Sequence, residues 1–393
     1  MTENFLLCID QGTTGTKVLL LDRLQEIRAS SYRKHTQHYP KSGWTEHDPK
    51  QIWQAILDGV LEVMRVGKAS PKQIEAVGLA NQGETVLFWD YDTGIPLYPA
   101  VVWSCRRSDS IAERWKQDGD WEVKVADKTG LRIDPYFSAT KIRWLMSEVE
   151  NVQAHIKRGT ARCGTLESWL IWNMTDGATH MTDPSTASRT LLYNIHTREW
   201  DYEILRYLGI DAAWLPEIES TVSMSRMTNP DRFCGIEAPI AVSIVDQPAA
   251  LYGHLCLEPG TSKCTYGTGC FVYMNVGSAP PERTDGTILT SVVWEKNSRF
   301  TYALDGAVYS AGSVIDWGMD ALGLYDSIEQ LQSWSEDWYR DLFLSRKDRR
   351  ADQEQRLWFI PSLNGVGAPY WNSGPRGLFL GFSHETGKQA MAK

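Results

Sequence analysis

Short apolar runs alternate with amphipathic segments along the whole chain, and this alternation predicts an α/β protein. Residues 5–9 and 18–21 are apolar runs typical of buried strands, and a turn rich in glycine and threonine separates them. Asp48 followed by Pro49 is a typical helix start, and apolar residues recur behind it at helical spacing. The chain is therefore predicted to open with a hairpin of two strands, followed by a helix.

The later segments continue this pattern and then repeat its beginning. Strands are predicted at residues 76–80, 86–89 and 239–245, a short buried helix at 166–171, and a further helix from about 248 to 255. A second strand, glycine–threonine turn and strand follow at residues 261–274. Two such hairpins predict two related domains, which we place at residues 1–252 and 253–393.

Composition and charge narrow the class of protein. The 393 residues carry a net charge of −9, with 42 % hydrophobic and 23 % charged residues, which is ordinary globular usage. The acidic excess argues against a nucleic-acid or anionic-membrane binder. The seven scattered cysteines contain no C-x-x-C pair and do not suggest a disulfide framework. With no apolar leader or membrane-length apolar run, the expected location is cytoplasmic.

The first turn, residues 10–17 (D-Q-G-T-T-G-T-K), is a candidate phosphate site. Its backbone N–H groups and hydroxyls suit phosphate oxygens, and Asp10 could hold Mg²⁺ through water. It does not fit the P-loop pattern, which needs G-x-x-x-x-G-K-[S/T] leading into a helix. An ordinary hairpin with a structural aspartate explains this segment alone equally well. The second turn favours phosphate binding, because two such turns could hold the phosphates of one nucleotide.

Asp246 and Gln247 follow the predicted strand at 239–245. An α/β protein places its reacting groups at the carboxyl ends of strands. Phosphoryl transfer to an alcohol needs a carboxylate that accepts the hydroxyl proton. The plainer interpretation is that Asp246 caps a helix that begins immediately after it, a role that is compatible with catalysis.

Several separate motifs resemble those of the FGGY carbohydrate kinases. The matching segments are 10–14 (D-Q-G-T-T), 41–49 (K-S-G-W-T-E-H-D-P), 134–144 (D-P-Y-F-S-A-T-K-I-R-W), 182–190 (T-D-P-S-T-A-S-R-T), 246–247 (D-Q), 266–271 (Y-G-T-G-C-F) and 367–371 (G-A-P-Y-W). They follow the family order from residue 5 to about 385. The resemblance implies two ribonuclease-H-like domains of the actin/hexokinase type around a cleft. It also implies ATP-dependent phosphorylation of a polyol, with glycerol to glycerol 3-phosphate as the first candidate.

The same resemblance implies the site residues. The polyol ligands would be Glu84, Trp103, Tyr136, Asp246, Gln247 and Phe271, with Asp246 as the general base. The nucleotide phosphates would contact Thr13, Thr14, Gly15, Lys17, Thr268 and Gly312, and Mg²⁺ would accompany ATP near Asp10. Nucleic acid and membrane are not expected partners, and association with further copies of the chain is left open.

Gly83 departs from the family pattern N-Q-R-E, because it stands where an arginine contacts the substrate. The change removes a planar group with several donors and widens the pocket. Two alternatives therefore stay open: a kinase for a larger polyol or ketose, and a polyol-binding protein with little turnover. Lys17 also replaces an arginine, which keeps the charge but loses the fork.

The last residues give one more expectation. Residues 389–393 are good helix formers with no capping glycine or proline after them, and family members continue beyond this point. We therefore expect the second domain to be incomplete, and the chain to bind a polyol better than ATP.

Overall fold

The computed structural model describes residues 4–267, 269–282, 287–344, 357–363, 365–372 and 374–392. The chain divides into two compact units. Unit 1 contains residues 1–262 and 274–304, and unit 2 contains residues 263–273 and 305–393. The chain thus passes between the units more than once.

The described residues form strands and α-helices in an order that alternates as the sequence predicts. The strands are β1 (Phe5–Gln11), β2 (Gly15–Asp22), β3 (Ile27–Lys34), β4 (Glu46–His47), β5 (Ile74–Asn81), β6 (Val86–Asp90), β7 (Ala100–Val101), β8 (Ala161–Thr165), β9 (Met181–Thr182), β10 (Tyr193–Asn194), β11 (Glu199–Trp200), β12 (Glu217–Ile218), β13 (Ile240–Val245), β14 (Ser262–Tyr266), β15 (Cys270–Gly277), β16 (Leu289–Lys296), β17 (Arg299–Val308), β18 (Trp358–Ile360) and β19 (Leu378–Leu380). The helices are α1 (Pro49–Gly67), α2 (Asp109–Gln117), α3 (Trp121–Thr129), α4 (Ser138–Glu148), α5 (Glu150–Arg158), α6 (Leu166–Met174), α7 (Pro184–Ala187), α8 (Tyr202–Leu208), α9 (Asp246–Gly253), α10 (Gly312–Asp320), α11 (Ile328–Leu344) and α12 (Lys388–Ala392).

A five-stranded sheet with the order β13-β5-β1-β2-β3 forms the centre of unit 1. β5 runs parallel to both β1 and β13, while β2 is antiparallel to β1 and to β3. A second sheet, with the order β4-β7-β6-β8, also belongs to this unit. The three parallel strands therefore end at the same edge of the central sheet.

The helix α1 packs against the central sheet. Leu7 and Leu20 of the sheet share one apolar core with Ile52, Ile56 and Val60 of α1, and all five side chains are fully buried. Burying a side chain of this size stabilises the fold by roughly 1.5–3 kcal/mol. The helical spacing seen in the sequence thus reflects the face that meets the sheet.

Unit 2 contains residues 263–273 of the hairpin of β14 and β15, together with a half-buried aromatic cluster. Phe359 and Phe379 are cross-strand partners on β18 and β19, with stacked rings whose centroids are 4.1 Å apart. The Trp317 ring of α10 also stacks with Phe359, with centroids 5.9 Å apart. Stacked aromatic rings of this kind provide much of the apolar packing in a small unit.

The structure confirms the predicted elements in kind and nearly in extent. The opening hairpin is β1 and β2, and Asp48 caps α1 by accepting the Lys50 backbone N–H at 2.9 Å. The second predicted hairpin is β14 and β15. Among the helices in the described part of the chain, none is long and apolar enough to cross a membrane.

Candidate active site

The carboxyl ends of β1, β5 and β13 lie in register at one edge of the central sheet. Gln11 pairs with Asn81, and Asn81 pairs with Val245. Three connections therefore leave the sheet side by side: the turn at residues 12–14, the loop at residues 82–85, and the helix α9. Ligands of α/β proteins bind at this kind of edge.

The turn between β1 and β2 is tight, and the position of Gly15 has no space for a side chain. The Gly12 N–H donates to the Gly15 carbonyl oxygen at 3.0 Å. A Cβ on Gly15 would lie 2.6 Å from the Arg33 carbonyl oxygen and equally close to the Tyr32 ring, so only glycine fits. The turn therefore projects residues 13–14 from a rigid base.

Asp10 and Lys17 flank this turn as cross-strand partners. Solvent reaches both side chains, yet partial desolvation raises the pKa of Asp10, and the Lys17 ammonium opposes that rise. Opposite charges in facing strand positions attract each other. The hairpin thus presents one carboxylate and one cation beside its hydroxyl-bearing turn.

A chain of hydrogen bonds joins this turn to the loop after β5. Gln82 Nε2 donates to Gln11 Oε1 at 3.1 Å, and the Thr85 hydroxyl donates to Gln82 Oε1 at 3.0 Å. Thr85 Oγ1 accepts the Trp103 backbone N–H at 3.2 Å, and Trp103 Nε1–H donates to Thr13 Oγ1 at 2.8 Å. Buried networks of this kind are rigid when their members are satisfied. The network therefore fixes the Trp103 indole against the turn.

Glu84 lies in the same loop and forms a buried ion pair. Arg189 Nε donates to Glu84 Oε1 at 2.7 Å, and the two side chains are only 2 % and 5 % exposed. The guanidinium also donates to Ser291 Oγ at 2.9 Å and lies 5.5 Å from the centroid of the Tyr136 ring. Tyr136 in turn packs edge-to-face on Trp103, with centroids 5.6 Å apart. Arg189 therefore joins the carboxylate and the aromatic residues of the predicted site.

Lys141 contacts the backbone of the segment that carries Tyr136. Its ammonium donates to the backbone oxygens of Tyr136 and Phe137 at 2.6 and 3.0 Å. Complete burial lowers the pKa of Lys141 to about 7, although the charge of Glu84 opposes this shift. The contacts fix the backbone that carries the Tyr136 ring.

Asp246 occupies the first position of α9, and Val245 is the residue that precedes the helix. The alternative that Asp246 caps a helix beginning after it is therefore wrong. The helix begins two residues before the predicted start at about 248, and Pro248 falls within its first turn, where a missing N–H is tolerated. Asp246 Oδ1 accepts the Gln247 backbone N–H at 2.6 Å, and both side chains are half-buried.

Gly83 is buried beside this edge, with φ at +67°. Its N–H donates to Asn81 Oδ1 at 2.9 Å. A Cβ here would meet Val245 Cγ1 at 3.4 Å, so a Cβ itself fits without a severe clash. The left-handed backbone would still cost a non-glycine residue roughly 1–2 kcal/mol.

Two of the predicted residues lie in unit 2. Gly312 begins α10, and its N–H donates to the Gly267 carbonyl oxygen at 2.8 Å, so the second turn contacts the start of this helix. Phe271 is half-buried on β15. Thr268, also predicted to contact phosphate, lies outside the described residues.

The remaining predicted residues belong to unit 1: Asp10, Thr13, Thr14, Gly15, Lys17, Glu84, Trp103, Tyr136, Asp246 and Gln247. Direct contacts connect Thr13, Trp103 and Tyr136, whereas Glu84 reaches this group through Arg189. The sequence analysis gave Arg189 and Lys141 no role. For Arg189 the available signal was a single charged residue within a stretch of small and apolar residues, which marks a buried charge that needs a partner.

The fold and the strand-edge site define an α/β ligand-binding protein, and comparison with known proteins specifies its family. Models of the N-terminal and C-terminal domains of the FGGY family of carbohydrate kinases match residues 5–253 and 262–393. The chain is 41 % identical to a glycerol kinase of Francisella tularensis subsp. mediasiatica (strain FSC147) over all 393 residues, which is 76 % of that relative.

Solved structures agree with this result. A crystal structure of Plasmodium falciparum glycerol kinase with ADP superposes with a TM-score of 0.85 at 32 % identity, covering 99 % of this chain and 75 % of that one. A gluconate kinase from Lactobacillus acidophilus, at 22 % identity and a TM-score of 0.81, shares the fold over 100 % of this chain and 75 % of its own.

The chain belongs to the FGGY family of carbohydrate kinases. Membership makes it a phosphotransferase, and it confirms the α/β kinase fold that the sequence motifs indicated.

Proposed function

We propose that the chain transfers the γ-phosphoryl group of ATP to glycerol and forms glycerol 3-phosphate. The observation that carries this proposal is the shared edge of β1, β5 and β13, which brings the hydroxyl-bearing turn, the loop of Glu84 and the start of α9 together. The 41 % identity to a glycerol kinase over the whole chain supports glycerol as the acceptor.

The polyol would be held by acceptors, donors and flat apolar surfaces. Glu84 and Asp246 would accept hydroxyl protons, Tyr136 and Gln247 would add hydrogen bonds, and Trp103 and Phe271 would flank the carbon chain. Arg189 binds Glu84 Oε1, which leaves Oε2 as the oxygen that we assign to a substrate hydroxyl.

Asp246 is the residue we assign as general base. Its carboxylate would take the proton of the attacking hydroxyl while the new O–P bond forms in line with the breaking bond to ADP. The position at the carboxyl end of β13 supports this role, because three strands meet at that edge.

The nucleotide phosphates would contact both hairpins. We assign Thr13, Thr14, Gly15 and Lys17 from the first hairpin, and Thr268 and Gly312 from the second. On this basis residues 1–252 form the polyol-binding domain with the first hairpin, and residues 253–393 form the nucleotide-binding domain. The relative solved with ADP supports a nucleotide site in this fold.

Mg²⁺ would neutralise charge on the phosphates of ATP. Within the described residues, no group of three or more His, Cys, Asp or Glu side chains could hold a metal ion. Magnesium often keeps several waters and needs only one or two carboxylates besides phosphate oxygens. The Asp10 carboxylate, which solvent reaches beside the turn, fits such a site.

Gly83 favours a second candidate, a kinase for a larger polyol or a ketose. Gly83 places no side chain beside Glu84, where the family pattern has an arginine. The test is ADP release from MgATP across glycerol, longer polyols and ketoses. The highest kcat/KM for glycerol would support the main proposal, and the highest value for a ketose would replace it.

The Asp246→Asn variant tests the base. We expect kcat to fall by about 10²-fold or more while glycerol still binds, because a positioned general base contributes on this scale. Asp231→Asn, which removes an exposed carboxylate, is the matched control. Near-normal turnover of Asp246→Asn would exclude Asp246 from the mechanism.

A further inference from the structure

Two cysteines face each other across the hairpin of unit 2. Cys264 Sγ on β14 and Cys270 Sγ on β15 are 3.2 Å apart, and both are free thiols. The turn between them is closed by the Gly267 N–H, which donates to the Gly269 carbonyl oxygen at 2.9 Å. The two thiols therefore stand on either side of the turn that we assign to phosphate binding.

The neighbouring side chains show that both thiols lie on one face of the hairpin. A hydrogen bond with Cys264 is the main reason that the pKa of Tyr266 is raised, so the two residues share a face, as alternate strand positions do. Lys263 and Thr265, which alternate with them along β14, share the opposite face, where Lys263 Nζ donates to Thr265 Oγ1 at 2.7 Å. Cys264 is exposed, and Cys270 is half-buried.

We propose that Cys264 and Cys270 are a redox modification site, where a hydroperoxide oxidises the two thiols to a disulfide that closes the hairpin. The Cys264 sulfur attacks the peroxide, the O–O bond breaks, and Cys264 becomes a sulfenic acid. The Cys270 sulfur then displaces the hydroxyl as water, and the S–S bond forms. Two thiol protons and two electrons leave the protein, and the peroxide is reduced to water and an alcohol, or to two waters from hydrogen peroxide.

The geometry requires only a small movement. A disulfide has its sulfur atoms about 2.05 Å apart, so the two thiols need to approach by roughly 1 Å. Desolvation and the hydrogen bond with Cys264 raise the pKa of Cys270 to about 11, so Cys270 stays protonated at neutral pH. Exposed Cys264 is therefore the thiol that meets the oxidant first.

The expected effect of oxidation on nucleotide binding rests on the proposed function. A Cβ on Gly269 would lie 2.8 Å from the Val308 carbonyl oxygen, so the backbone next to Cys270 packs closely against β17. We therefore expect that drawing the two sulfur atoms together shifts Gly267 and Gly269, which border the turn. We expect oxidation to weaken nucleotide binding.

The first experiment maps the thiols of the full chain after hydrogen peroxide, with alkylation and peptide mass spectrometry. We expect one peptide pair that links Cys264 to Cys270 with the loss of two hydrogen atoms, and its reversal by dithiothreitol. Cys264→Ser and Cys270→Ser should each abolish it, whereas Cys234→Ser, which removes a half-buried thiol of unit 1, should not. The proposal is wrong if Cys264 and Cys270 can still be alkylated at a peroxide dose that has already oxidised Cys234. It is also wrong if Cys264 and Cys270 form disulfides only between molecules.

The second experiment measures MgADP binding by calorimetry before and after oxidation. We expect the Kd to rise by at least about fivefold, a typical lower value for coupling between two sites, and to recover on reduction. A disulfide that leaves the Kd unchanged would overturn the coupling to the nucleotide. Failure of the reduced chain to bind MgADP would instead count against the proposed function, because the mass measurement needs no turnover.

Discussion

The positive charge of Arg189 pairs with Glu84, one of the proposed polyol ligands. Its guanidinium binds Glu84, Ser291 and the faces of two aromatic rings while almost fully buried. A buried ion pair is not by itself stabilising, but removing one partner leaves an uncompensated charge. The pair therefore fixes the orientation of the Glu84 carboxylate more than it adds stability.

Arg189→Ala should lower the free energy of unfolding by about 3–5 kcal/mol, the range for breaking a buried pair. The double variant Glu84→Gln/Arg189→Met should recover part of this loss in urea unfolding, because neither residue is then charged. It should not recover the KM for glycerol, since the oriented carboxylate is gone. A loss below about 1 kcal/mol in the single variant would show that the pair carries little energy.

The Gly83→Arg variant restores the arginine that the family pattern N-Q-R-E has at this position. The new guanidinium should lower the KM for glycerol, because hydrogen bonds to charged groups contribute roughly 1.5–3 kcal/mol each. Gly83→Ala is the matched control, as it carries the left-handed strain without the donors. An equal or higher KM in the arginine variant than in the alanine variant would contradict this expectation.

At the scale of elements, two buried histidines support the first hairpin. The backbone N–H of His35 donates to the Thr14 carbonyl oxygen at 2.9 Å, and the ring nitrogen Nε2 of His35 forms a 2.8 Å hydrogen bond with Thr16 Oγ1. The His47 ring lies 6.3 Å from the His35 ring. Burial lowers the pKa of each to about 4. Both rings are therefore neutral in the folded protein at neutral pH.

The neutral state of the two buried rings predicts that the folded protein loses stability in acid. Because the folded pKa of His47 lies below the ordinary 6.5, its stabilisation is present above pH 6.5 and is lost as pH falls toward 4. A shift of this size corresponds to about 3 kcal/mol. His47→Phe should make the unfolding free energy vary less with pH over this range in urea titrations. Exposed His254→Gln should not, and an unchanged pH profile in His47→Phe would contradict the prediction.

At the scale of the whole molecule, the proposed polyol ligands are divided unequally. Glu84, Trp103, Tyr136, Asp246 and Gln247 belong to unit 1, and only Phe271 belongs to unit 2. Glycerol should therefore slow amide hydrogen exchange mainly in β1, β5 and α9, because a ligand stabilises the state that it binds. Protection confined to unit 2 would contradict the assignment of the site.

The elements were predictable where a short-range pattern decides them. The run at residues 5–9, the capped helix after Asp48 and the glycine–threonine hairpins all carry signals within a few residues. The helix predicted from about 248 to 255 is α9, which begins two residues earlier, at Asp246. Arg189 received no role, since its partner Glu84 lies 105 residues earlier in the chain.

The sequence by itself determined the class of fold, the family and the types of residue available for chemistry, because periodicity and motif spacing are local properties. Only the tertiary structure decided which of them meet. Register between β1, β5 and β13 sets the hydroxyl-bearing turn, the loop of Glu84 and the start of α9 side by side. Burial decided that Glu84 is paired with Arg189 and that His47 is neutral. Both results depend on how distant segments exclude water from each other, which no local pattern records.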